Sequence, residues 1–493
     1  MSGAFPSAPP PGPTGPPEAV LRGLAGLTDR AWLVGGALRD ELLGRASHDV
    51  DLTVDGDARS LARALARRTG ASAFGLSDAF GAWRVTAPDR AWQVDVTPLS
   101  ASTLEADLAN RDLTVNAIAR PLAGGPLIDP FGGAADLAAR RLVMVSPSAF
   151  HADPLRVLRL ARIGADLGFE VDPDTVRAAR AAAPGLAGTA AERIFAELRQ
   201  VLAGRDPHTG LDYAEGLGAS AVVLPELVNL HGVEQNIYHH RDVHGHTLEA
   251  LAYAVTLTRD PAAVFDVPAT SVAALLAEPV AEGMTRGELL RWGALLHDIA
   301  KPQTRAVSPE GRVTFFGHDL AGADLSRAIL ERLRASERVR AHVADLTRHH
   351  LRLGFLVHHR PLSARARYDY LNACDSVSAD VTLLSIADRL ATRGRNAEAA
   401  IAAHLDLARE LWPAVLAYRA QPPRPPIRGD ALAAELGRPP GPWLAETLAE
   451  LTAARYAGEL ADGRAAAVAH ARRWLAAPAA TSAATPAPPG VGG

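Results

Sequence analysis

Residues 33–54 read LVGGALRDELLGRASHDVDLTV, and this stretch decides the fold. The apolar run AWLVG (Ala31–Gly35) predicts a strand that delivers Gly35 and Gly36 to the start of a helix, ALRDELLG. Bare backbone amides at a helix N-terminus can approach an anion closely, which makes this turn a phosphate cradle in outline. Asp49-Val50-Asp51 opens the next predicted strand, VDLTV (Val50–Val54). Alternate strand residues share a face, so the two carboxylates project together. They repel unless a cation lies between them, and hard oxygen ligands select Mg²⁺. Asp95, inside the strand-like WQVDVT (Trp92–Thr97), adds a third carboxylate. Asp49, Asp51 and Asp95 together form a candidate catalytic set for in-line displacement at phosphorus.

Around this nucleus AWRVT (Ala82–Thr86) predicts one more strand and SLARALARR (Ser60–Arg68) a helix, giving a small α/β unit. From Asp153 the pattern turns helical through PLRVLRLARIGADL, DTVRAARAAA and TAAERIFAELRQVLAG. Beyond Gly204 no strand run is evident, so the remainder is expected to be all α. QPPRPP (Gln421–Pro426) reads as a stiff linker before a last helical module. Residues 1–17 and 478–493 carry too few large apolar groups to offset ordering entropy and are expected to be disordered.

A chain of 493 residues predicts about three domains. Its composition excludes collagen, coiled coil and wholesale disorder. No apolar run approaches the roughly 20 residues of a membrane helix, so a soluble, cytoplasmic protein with no membrane contact is expected. The single cysteine, Cys374, excludes an intrachain disulfide and a Cys-based zinc site, which leaves metal binding to carboxylates and the 17 histidines. A net charge of -4 excludes a basic nucleic-acid coat. Lys301 is the only lysine, which excludes a Walker A loop and leaves phosphate binding to arginine and backbone amides.

The histidines gather in HHRDVHGHTLEALAYA (239–254), ALLHDIAKP (294–302), FFGHDLAGADL (315–325) and LTRHHLRL (346–353), with Asp388 in LLSIADRLATRG (383–394). An ionisable His297-Asp298 pair after the apolar WGALL is costly to bury unless a cation or partner compensates. Asp153 and Arg156, three apart on a predicted helix, share a face and together offer acceptors and a rigid donor fork.

The first constellation continues in order with NRDLTVNAIA (110–119), LIDPFGGAADLAARRL (127–142), ADPLRVLRLAR (152–162) and TAAERIFAELRQVL (189–202). This series resembles class II tRNA nucleotidyltransferases and bacterial poly(A) polymerases, of the polymerase β nucleotidyltransferase superfamily. The resemblance implies that Asp49 and Asp51 bind catalytic Mg²⁺ and that Gly35, Gly36 and Arg39 hold the triphosphate. It implies further that Arg111, Asp112 and Asn116 position the nucleotide, and that Asp153 and Arg156, with Arg159 on the same helix, form the base-reading region. The chain departs from the family pattern at Asn110, Leu113 and Ala152, and the stretch TPLSASTLEADLA (97–109) is shorter than usual. These departures bear on nucleotide choice.

The histidine series resembles the HD metal-dependent phosphohydrolases, which implies His246, His297, Asp298 and Asp388 as metal ligands. His318 with His349 or His350 would serve a second metal, and Lys301 would meet a phosphate. The expected order is a mixed-sheet nucleotidyltransferase head (18–145), a helical neck and RNA-binding body (146–238), an HD domain (239–418) and a C-terminal helical module (427–477). The expected activity is Mg²⁺-dependent addition of C, A or both to the tRNA 3′ end from CTP and ATP. Mn²⁺, Ni²⁺ or Co²⁺ is expected in the HD domain. The alternatives are a poly(A) polymerase, an RNA-binding protein with an inactive head, and a chain whose main activity is HD phosphohydrolysis.

Overall fold

The computed structural model describes residues 17–77, 81–236, 238–266, 269–394 and 396–477. Apart from Pro17, the two terminal stretches expected to be disordered lie outside the described residues. The chain divides into two compact units, one ending at Pro225 and the other beginning at Glu226. The division falls inside the stretch read as neck and RNA-binding body.

The first unit holds a six-stranded sheet of β1 (Ala31–Val34), β2 (Asp49–Val54), β3 (Ser72–Ser77), β4 (Ala82–Thr86), β5 (Gln93–Pro98) and β6 (Ala119–Pro121). The strand order is β3-β4-β5-β2-β1-β6. Only the central β2–β5 pair is parallel, so the sheet is mixed, as expected. The two edge strands, β3 and β6, were not foreseen. SAFGLS is broken by glycine and ARP is three residues ending in proline, so neither carries the apolar alternation of a central strand.

Helix Ala58–Thr69 covers one face of this sheet. Asp57 caps its start by accepting from the Arg59 amide at 3.0 Å, and Gly70 ends it at φ 67°. Leu61, Ala62, Leu65 and Ala66 recur at helical spacing and pack on Val50, Leu52, Val54, Val85, Val94 and Val96. With the even-numbered β2 residues committed to that core, strand alternation sends Asp49, Asp51 and Thr53 to the opposite face. Helices Arg156–Leu167, Pro173–Ala182, Ala191–Ala203 and Pro207–Gly216 follow. One expectation is corrected here: Asp153 is not on the helix of Arg156. It has extended backbone (φ -146°) between helix Ala149–Ala152 and the helix beginning at Arg156, because Pro154 disfavours helical geometry in the residue before it.

The second unit is built on helices Val243–Arg259, Arg286–Leu296, His318–Arg332, Glu337–His349, Ala364–Cys374, Ser378–Ala391 and Ala397–Ala420. It is not purely helical. Pro279–Ala281 pairs with Met284–Thr285, and Ala306–Val307 with Val313–Thr314, both antiparallel. These strands are two or three residues long and turn at positive-φ Glu282-Gly283 and Gly311, too short to leave a period-two pattern. After the linker, helices Gly429–Leu436, Pro442–Tyr456 and Arg464–Ala476 close around Leu432, Leu451, Ala467 and Ala471. Among the described residues no helix is long and apolar enough to cross a membrane.

Candidate functional site

The strand–turn–helix at Val34–Gly36 is built by sterics. Gly35 takes φ +69°, and a Cβ there would lie 3.0 Å from the Asp51 Oδ2 and 3.2 Å from the Arg111 Nη1. The glycine therefore lets the turn press directly on the carboxylates. Asp51 sits opposite Asp95 in the parallel β2–β5 register, and Asp49 lies one strand period away, so the three predicted carboxylates share one face. Burial raises the Asp51 carboxyl above its ordinary range and the Asp95 charge raises it further, while Arg111 opposes both. A carboxylate crowded in this way is poorly satisfied by the chain alone, which fits a cation as its missing partner. Asp95 has a partner of its own, since Arg84 donates from Nε and Nη2 to its two oxygens, each at 2.7 Å.

Beside the carboxylates runs a polar chain through every nucleotide-contacting residue expected from NRDLTVNAIA. Arg39 Nη1 donates to Asn116 Oδ1 at 2.9 Å, and Asn116 Nδ2 donates to Asp112 Oδ1 at 2.9 Å. Arg159 Nε donates to Asp112 Oδ2 at 2.9 Å. Burial would raise the Asp112 carboxyl, but Arg159, Asn116 and the Leu113 amide outweigh it and hold the group well below the usual range. Arg111 Nη2 reaches Thr53 Oγ1 at 3.3 Å and Asp107 Oδ2 at 3.5 Å, lying along the same face. Asp153 and Arg156 are not paired with each other. Asp153 Oδ2 accepts from Arg193 Nη2 at 2.7 Å, while Arg156 Nη1 donates to the Ala149 and Arg111 carbonyls at 2.9 and 3.3 Å and Nη2 bonds the Asn110 carbonyl. Arg156 thus holds the loop carrying Asn110 and Arg111 against its own helix.

In the second unit the helices bring His246, His297, Asp298, His318, His350 and Asp388 into one buried cluster. His246 Nε2 lies 3.0 Å from Asp388 Oδ1, and His297 Nε2 lies 3.2 Å from Asp298 Oδ2. His318 Nε2 lies 3.3 Å from both Asp298 Oδ1 and His350 Nε2. The donor atoms form two triplets, His246/His297/Asp388 and Asp298/His318/His350. Three of the rings are oriented alike: Nδ1 of His297, His318 and His350 bonds the carbonyls of Ala294, Phe315 and Thr347 at 2.8, 2.7 and 2.6 Å. A carbonyl only accepts, so each Nδ1 carries a hydrogen and each Nε2 is turned inward. Burial pushes His350 down to about 3, so that ring is neutral at pH 7. Inward Nε2 atoms facing one another beside two carboxylates suit bound cations, and N and O donors suit a transition metal. Lys301 Nζ lies 2.7 Å from Asp298 Oδ2 and donates to Gln235 Oε1 at 2.7 Å. Burial would raise Asp298, yet His297 and Lys301 hold it well below the ordinary range.

Of the two histidines proposed as alternatives, His350 enters the cluster and His349 does not. His349 is the last residue of its helix and its Nδ1 accepts from Arg352 Nε at 2.8 Å, turned from the ligands by the roughly 100° per residue of helical advance. Residues missed in the sequence are Arg84, Thr53 and Asp107 in the first unit, and Gln235 and His239 in the second. Arg84 had a signal, being a cation within the strand pattern AWRVT. His239, whose ring lies edge-on to His246 at 5.0 Å, precedes the helix in a stretch with no periodicity to read.

A mixed-sheet head with paired strand carboxylates and a glycine turn, joined to a helical His/Asp centre, defines a nucleotidyltransferase carrying an HD domain. The family models agree: residues 31–143 match the poly A polymerase head domain, 168–230 the "Probable RNA and SrmB- binding site of polymerase A", and 243–393 the HD domain. The chain is 38% identical over 444 residues to the A-adding tRNA nucleotidyltransferase of Deinococcus radiodurans, covering 87% of this chain and 92% of that protein. It is 34% identical over 442 residues to the CC-adding enzyme of Thermus thermophilus, covering 87% and 90%. The chain belongs to the tRNA nucleotidyltransferase family. Its fold is similar to that of a CCA-adding enzyme solved with ATP (TM-score 0.58, 18% identity, 90% and 91% of the two chains). It is also similar to the Thermotoga maritima CCA-adding enzyme solved with tRNA (TM-score 0.53, 19% identity, 90% and 91%).

Proposed function

We propose that the protein adds C, A or both to the 3′ end of tRNA, using CTP and ATP and Mg²⁺ held by Asp49 and Asp51. The observation that carries this reading is the cluster of Asp49, Asp51 and Asp95 on one sheet face against the Gly35 turn. Bound Mg²⁺ supplies the charge that stabilises attack of the RNA 3′-hydroxyl on the α-phosphate as pyrophosphate leaves. The chain's own part is positioning: Gly35, Gly36 and Arg39 receive the triphosphate, Arg111, Asp112 and Asn116 seat the ribose, and Asp153, Arg156 and Arg159 form the base-reading region. Arg39 and Arg159 are already tied to Asn116 and Asp112, so the seat is preorganised. The head would span 18–145, the neck and RNA-binding body 146–238, the HD domain 239–418 and the terminal module 427–477. Incorporation of labelled CTP and ATP into tRNAs ending before CCA, after C and after CC tests the assignment. Transfer that fails on all three, or that runs on into long A tracts, overturns it.

A second activity is favoured by the inward-facing imidazoles of the second unit. Metal-dependent phosphohydrolysis would use His246, His297, Asp298 and Asp388, with His318 and His350 at a second position. Mn²⁺, Ni²⁺ or Co²⁺ suits this mixed donor set.

A further inference from the structure

The row of residues that crosses the sheet through Asp51 does not stop at the carboxylates. In register it reads Ala119, Val34, Asp51, Asp95, Arg84 and Phe74, from β6 to the far edge on β3. Residues paired in register share a face, and Arg84 shows it by bonding Asp95 through both oxygens. The neighbouring Ala73 packs into the core beneath helix Ala58–Thr69, so Phe74 stands on the carboxylate face. It is 47% exposed, and Leu76 farther along the same strand is 44% exposed. At a strand spacing of about 4.8 Å, three steps separate Phe74 from Asp51 by roughly 14 Å across the sheet. An aromatic ring, a guanidinium and carboxylates therefore follow one another along a line. The 3′ end of an RNA strand presents the matching chemistry: a base, a phosphate and a terminal hydroxyl.

We propose that Phe74 is a stacking platform for a base near the 3′ end of the acceptor RNA, with Arg84 beside it on the adjoining phosphate. The inference rests on the transferase reading above, which brings an RNA hydroxyl to Asp51. Aromatic rings hold bases of any sequence, which suits an acceptor whose last nucleotides change as synthesis proceeds. Arg84 commits Nε and Nη2 to Asp95, and among the described residues Nη1 carries no bond, leaving an edge of its fork for a phosphate oxygen. Edge pairing with a second copy of the chain is the less favoured occupant. The β3–β4 register shifts between Gly75 and Ser77, and such an irregularity blunts an edge against pairing.

The test compares wild type with Phe74→Ala, Phe74→Leu and Phe74→Trp in the full chain, each verified as folded by circular dichroism. Phe74→Ala should raise KM for the tRNA acceptor by about 5- to 150-fold, the range expected for one lost base stack, with little change in KM for the nucleotide. Phe74→Trp should restore acceptor KM and Phe74→Leu should not. A second readout needs no turnover: an acceptor-stem RNA with 2-aminopurine near its 3′ end should lose fluorescence on binding wild type and keep it with Phe74→Ala. Unchanged acceptor KM and unchanged quenching in Phe74→Ala, or full rescue by leucine, overturns the platform. So does a wild-type dimer that Phe74→Ala dissociates without affecting acceptor binding. Absence of nucleotide addition by wild type would instead overturn the transferase reading, while the quenching still reports whether Phe74 stacks on RNA.

Discussion

A Cβ on Gly35 would sit 3.0 Å from the Asp51 Oδ2, and the Gly35 backbone is at φ +69°. The glycine is required twice, by conformation and by space. Gly35→Ala should cost about 1–2 kcal/mol of stability, the penalty for a left-handed L-residue, and should lower turnover by displacing the Asp51 carboxylate. Gly36→Ala is the control for stability alone, since its Cβ would make ordinary contact with the Arg39 guanidinium at 3.5 Å. Thermal unfolding of the two variants, with nucleotide incorporation by Gly35→Ala, checks this. Equal thermal stability of the pair, with unchanged turnover in Gly35→Ala, would show that the turn does not press on the carboxylate.

The surroundings of Asp51 disfavour its charge, since burial and Asp95 both raise its carboxyl. Asp51→Asn should therefore abolish nucleotide addition while leaving the metal-free protein as stable as wild type or more so, by up to about 1 kcal/mol. Urea unfolding in the presence of a chelator, alongside turnover with Mg²⁺, separates the two effects. A marked loss of stability would mean that the Asp51 carboxylate chiefly serves its attraction to Arg111.

The His/Asp centre of the second unit contains no residue of the first, so the two sites should be separable. Added Mn²⁺, Ni²⁺ or Co²⁺ should raise the melting temperature of wild type, since binding at about 100 times Kd contributes about 2.7 kcal/mol. His297→Ala combined with Asp298→Ala should abolish that shift and any phosphohydrolase activity that the metals stimulate. Nucleotide addition with Mg²⁺ should survive in the folded double variant. Its complete loss would make these helices part of the transferase.

The legible parts were those in which local chemistry repeats a rule. Gly35-Gly36 and Asp49-x-Asp51 were readable because turn sterics and strand alternation act within a few residues. His297-Asp298 was readable because a charged pair after WGALL needs a partner. Partners supplied by distant segments were not: Arg84 on Asp95, Arg193 on Asp153 and Gln235 on Lys301 depend on register and helix packing. The choice between His349 and His350 turned on a single residue at a helix end, where periodicity does not settle which side chain faces inward. Asp153 was misplaced because the apolar spacing through PLRVLRLAR outweighed the proline that follows it.

The last expectation concerns His404, buried in helix Ala397–Ala420 with its Nε2 3.1 Å from the Ser385 Oγ. Burial pushes its pKa from 6.5 down to about 4, with Asp388 opposing and Arg389 assisting. A depressed folded-state pKa means that the unfolded chain takes up the proton first as the medium is acidified. The stability contributed by the neutral ring is thus fully present above pH 6.5 and is lost as the pH falls towards 4. Linkage over that interval gives a loss of about 2.5 kcal/mol by about pH 4.5. His404→Gln keeps a hydrogen-bonding group near Ser385 and removes the titration. It should be less stable than wild type at pH 7, and the gap should narrow by about 2.5 kcal/mol by about pH 4.5. Urea unfolding of the second-unit transition at both pH values, without added metal, provides the comparison. A gap independent of pH would mean that the ring titrates in the fold as it does in the unfolded chain, with Asp388 offsetting burial.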